Sequence, residues 1–124
     1  MSASHTSPHP RWVKPTQLDH HGNLTPDSVA GSKLLFDWER LGIFNTALRF
    51  VINNTGGGVL TVTPEAAYTD AGPPEVGTQA PAAFTVGPGE AYGDPYGMDE
   101  MRPYWRLWVS GNSTFEWGVL GVSR

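Results

Sequence analysis

The chain has 124 residues, enough for one domain with a proper hydrophobic core, and its 15 glycines and 11 prolines leave little room for long helices. Only 16% of residues are charged, against about 25% in an average domain, so Ser, Thr, Asn, Gly and Pro must make up much of the surface. A net charge of −4 argues against nucleic acid as a partner, the absence of cysteine excludes disulfides and a thiol nucleophile, and no apolar run approaches the roughly 20 residues of a membrane helix.

Residues 1–33 hold all four histidines, together with Pro8, Pro10, Pro15 and Pro26. Each proline fixes φ, removes a donor and biases its predecessor toward extended backbone. No strand or helix period survives there, so the segment reads as an extended arm that needs another surface to become ordered. Arg11, Trp12, Val13 and Leu18 are the arm residues available to grip a partner. The opening Met-Ser-Ala-Ser-His-Thr lacks a basic stretch followed by an apolar one, so no signal peptide is expected.

From residue 34 to 124 the pattern is that of a β domain. Leu34–Trp38 reads as a first strand, and single helical turns fit near 37–42 or 98–101. Ala47–Ile52 puts Leu48, Phe50 and Ile52 on one face, and Val59–Thr63 alternates in the same way until Pro64 stops it. Asn53 through Gly58 lies between them, which predicts a hairpin. Residues 64–81 read as a long loop, Ala82–Val86 as a short strand, and 87–97 as turns. Tyr104–Ser110 and the run from Phe115 to Val122 flank Gly111-Asn112-Ser113, which predicts a second hairpin. The fold class is all-β: an antiparallel β-sandwich or small barrel of six to eight short strands, preceded by the arm.

Trp105 and Trp108 are three apart, so on a strand they point to opposite faces. With Trp105 inside, Tyr104, Arg106 and Trp108 share the outer face and form a candidate partner-binding surface, since Trp, Tyr and Arg dominate interface hot spots. Trp108, Tyr92 and Tyr96 offer an alternative aromatic face for a sugar. Catalytic residues are not found. The β domain has no histidine, and Glu65, Asp70, Asp94, Asp99 and Glu100 read as solvated loop acids. His20 and His21 beside Asp19 make only a weak metal motif, on a segment without a rigid scaffold. No enzyme activity, cofactor or metal is expected.

Val59-Leu60-Thr61-Val62-Thr63-Pro64-Glu65-Ala66, then Phe84-Thr85-Val86, then the run Pro103-Tyr104-Trp105-Arg106-Leu107-Trp108 through Thr114-Phe115-Glu116-Trp117-Gly118-Val119, resembles small β-sandwich structural proteins of tailed bacteriophages. The resemblance covers residues 34–124, and the Arg106-Leu107 pair matches the family pattern, while the tryptophan load departs from it. It implies a virion component: a capsid decoration (cement) protein, a homo-oligomer with a trimer favoured, that binds the major capsid protein on the capsid surface. The alternative is a carbohydrate- or host-surface-binding module of a head or tail appendage.

Overall fold

The computed structural model describes residues 10–12, 24–93, 95–97 and 100–123. The strands are β1 (Pro10–Trp12), β2 (Thr25–Glu39), β3 (Asn45–Asn54), β4 (Leu60–Ala67), β5 (Phe84–Val86), β6 (Ala91–Tyr92), β7 (Pro95–Tyr96) and β8 (Tyr104–Ser123), with a helical turn, α1 (Leu41–Phe44), and a 3-10 turn at Gly77–Gln79. All pairings are antiparallel, and the strands form one sheet that curls into a nearly closed barrel. The all-β expectation holds, in its barrel form.

β8 organises the sheet. Along one of its edges lie β1 and β2; along the other lie β4, opposite residues 104–110, and β3, opposite residues 115–123. β5 then pairs with β4, and β6 and β7 pair with β3. Trp105, Leu107, Val109, Phe115, Trp117 and Val119 are all buried, so the same face of β8 looks inward along its whole length. Phe50 pairs with Val119, yet its ring centroid lies 5.6 Å from that of Trp105, in the other half of β8. The two halves therefore face each other across one core, which Phe36, Tyr96 and Trp117 complete.

That arrangement requires a corner, and glycines make it. Gly31 and Gly111 are direct cross-strand partners with φ of +103° and +132°. A side chain is rarely tolerated at such angles, so two facing glycines let both long strands fold over at one level. The space is also closed at Gly111, where a Cβ would sit 2.4 Å from the Val59 carbonyl oxygen. Asn54, fully buried, pins this corner. Its amide nitrogen donates to the Gly58 carbonyl at 2.7 Å and the Val86 carbonyl at 3.0 Å, and its amide oxygen accepts from Ser113 Oγ at 2.7 Å and Gly56 N at 3.2 Å. All four of its bonding positions are thereby filled.

Neither predicted hairpin is present. β3 and β4 do not pair with each other but run end to end along β8, with Thr55 and Gly56 both donating to the Thr114 carbonyl. Gly111-Asn112-Ser113 does not reverse the chain but lies within the 20-residue β8. In both places the glycines serve close backbone approach and bending rather than reversal. Pro64 does not end β4 either; it sits inside the strand opposite Leu107. β5 covers the outer edge of β4 only as far as Val62, so a residue without an N–H is tolerated beyond it. Finally, the division at residue 33 falls inside β2, which already carries buried Val29.

Candidate functional site

β8 presents Tyr104, Arg106 and Trp108 to the outside, between β2 and β4. Glu65 is the direct cross-strand partner of Arg106. Its Oε1 accepts from Arg106 Nε at 2.6 Å and from Trp108 Nε1 at 2.9 Å, so one carboxylate fixes both side chains. On the other edge the register slips: Phe36 opposes Leu107 and Glu39 opposes Trp105, which leaves Asp37 and Trp38 both facing Arg106. This β-bulge explains why Arg106 meets two residues of β2 at once. Its guanidinium lies 4.4 Å from the Trp38 ring centroid and 5.8 Å from that of Trp108, with the Asp37 carboxylate at 3.8 Å.

The result is a ladder of tryptophan, arginine and tryptophan across the β2–β8 edge, braced by Glu65 of β4. Each stack contributes about 0.5–1 kcal/mol at an exposed site. More important is pre-organisation: the long Arg106 side chain is already held in place, so binding a partner loses less rotamer entropy there. Trp38, Arg106 and Trp108 are all half-buried, with edges left for contact. Asp37, 67% exposed, stands beside them as a carboxylate open to a partner.

The structure thus brings Arg106 and Trp108 together as predicted. Tyr104 lies further along the same outward row, opposite Ala67. Trp38, Asp37 and Glu65 were not legible as members, because their approach depends on a bulge and on a register between strands far apart in sequence. The alternative sugar face does not assemble as expected. Tyr96 is buried, with its hydroxyl donating to the Ala82 carbonyl at 2.6 Å, while Tyr92 packs edge-on against Phe84.

Of the arm residues, Arg11 and Trp12 lie in β1, opposite Gly121 and Leu120; Val13 and Leu18 fall outside the described residues, as do all four histidines. Near β1, Ala47, Arg49, Pro95, Leu120 and Val122 line a shallow, mainly apolar groove of about 300 Å³. Among the described residues no three His, Cys, Asp or Glu side chains cluster closely enough to hold a metal ion, and no helix is long and apolar enough to cross a membrane.

No protein-family model matches the chain, and no curated protein does. Among solved structures the fold is similar to one described as "Crystal structure of PirA", with a TM-score of 0.54 and 18% identity over 89% of this chain and 99% of that one. At that identity the likeness is one of fold.

Proposed function

We propose that this protein is a non-enzymatic structural component of a virus particle: a capsid decoration protein that binds the assembled lattice of the major capsid protein. The observation that carries the reading is the outward Trp38–Arg106–Trp108 ladder, held by Glu65 on a chain with few charges. Fixed aromatic and arginine side chains on a stiff sheet are the means by which a small protein grips another without an enzyme's cleft. Many copies on one shell add avidity, so each contact can be weak alone.

The test is sedimentation of purified protein with assembled shells and, separately, with unassembled capsid protein. Binding to shells that falls at least ~10-fold for Arg106→Ala or Trp108→Ala is expected. No association of the intact protein with shells would overturn the proposal. Glycan binding lost on Trp108→Ala would instead favour the host-surface alternative.

A further inference from the structure

β1 and β2 lie on the same edge of β8 and run in the same direction. Trp12 sits opposite Leu120 and Thr25 opposite Trp117, so only two β8 residues, Gly118 and Val119, separate the two docking positions. Two residues of chain would cover that gap. The sequence provides twelve, Val13 through Leu24. Fully extended, twelve residues reach about 40 Å, far beyond the space to be crossed. The connection does not oblige β1 to stay on its own barrel.

The docking position is itself distinctive. On the opposite edge Ala47 and Arg49 of β3 pair with Val122 and Leu120, so the end of β8 is an interior strand only while β1 is seated. Without β1 it becomes an open edge, a template for any extended segment. The apolar groove lies at the same place, and two of its lining residues, Leu120 and Val122, are the cross-strand partners of Trp12 and Pro10.

We propose that the β8 edge at Leu120–Val122, with its adjoining groove, is a docking site for Pro10–Trp12 of a second copy of this chain, so that leading strands are exchanged between protomers. Exchange preserves every pairing found within one chain, and the surplus connection supplies the reach. Only the local concentration of the neighbour decides between home and partner edges. This inference concerns the contact between copies and does not depend on the capsid reading.

The cysteine-free sequence permits a direct test. Pro10→Cys and Val122→Cys are placed in separate, differently tagged chains, mixed near ~1 mM, the range of a short tether's effective concentration, and oxidised. A mixed disulfide dimer at least ~10-fold above a background pair, Val76→Cys with Val122→Cys, is expected; Val76 is 78% exposed and lies outside every strand. Trp12→Cys with Leu120→Cys, also directly opposed, repeats the measurement should one pair perturb folding. Bonds forming only within a chain carrying both cysteines of a pair, with mixtures at background, would overturn the proposal. So would no bond in any variant, because β1 would then not occupy this edge.

Discussion

β1 and β2 share one edge of one strand, yet the barrel treats them differently. β2 pairs with β8 at twelve positions, turns the corner with it at Gly31, and sends Val29 and Phe36 into the core. β1 pairs at three positions, and its neighbours on β8, Leu120 and Val122, are only half-buried. The same hydrogen-bonding geometry therefore yields one strand that completes the fold and one that is an accessory to it. β2 owes its hold to the number of its pairings and to its buried Val29 and Phe36, since a single main-chain bond contributes only about 0.5–1.5 kcal/mol net.

Truncation separates the two strands most sharply. Removing residues 1–33 strips the first half of β2 with Val29, and should cost more than about 5 kcal/mol, the scale of a small domain's whole stability. Removing residues 1–23 should lower stability by about 1–3 kcal/mol, because the described part of that segment contributes three pairings. Denaturant unfolding of the two truncations measures both. Equal loss would erase the distinction.

Within the permanent part, Trp117→Ala should cost about 3–5 kcal/mol, since Trp117 is 5% exposed and stacks on Phe36 of β2 at 6.0 Å. A loss under about 1 kcal/mol would mean that β2 is not anchored there. The corner gives an internal comparison. Gly111→Ala meets both an unfavourable φ and the Val59 carbonyl, whereas Gly31→Ala meets only the φ, with nothing within 4 Å of its Cβ. Thermal unfolding should show the first costing about 3 kcal/mol and the second about 1–2 kcal/mol. On the outer face, Arg106→Ala should also cost about 1–2 kcal/mol, as two stacks and the Glu65 contact go while the core stays filled.

The all-β class, the inward faces and the outward Arg106–Trp108 pair were legible in the sequence, because alternation reports burial directly. The connectivity was not, and the reason is one of parity. In a hairpin turning at Gly111-Asn112-Ser113, Val109 would face Phe115, Leu107 would face Trp117, and Trp105 would face Val119. In one continuous strand the same six residues also fall on one face. Leu48, Phe50 and Ile52 have the same ambiguous relation to Leu60 and Val62 about Gly56. A glycine that permits positive φ serves a reversal or a corner equally well, so local signals could not choose. The partner strands that decide it lie far away in sequence: Glu65 against Arg106, and Gly31 against Gly111. The Asn54 hub was hidden for the same reason, as an Asn beside glycines reads as a turn.

Native-state hydrogen exchange on the intact chain tests the central contrast most directly. Amides of β2 bonded to the central part of β8 should exchange only through global unfolding. Those holding Arg11 and Trp12 to the end of β8 should exchange at least ~100-fold faster, through local opening that leaves the barrel intact. Equal protection of the two strands would contradict the account, because β1 would then be as much a part of the folded body as β2.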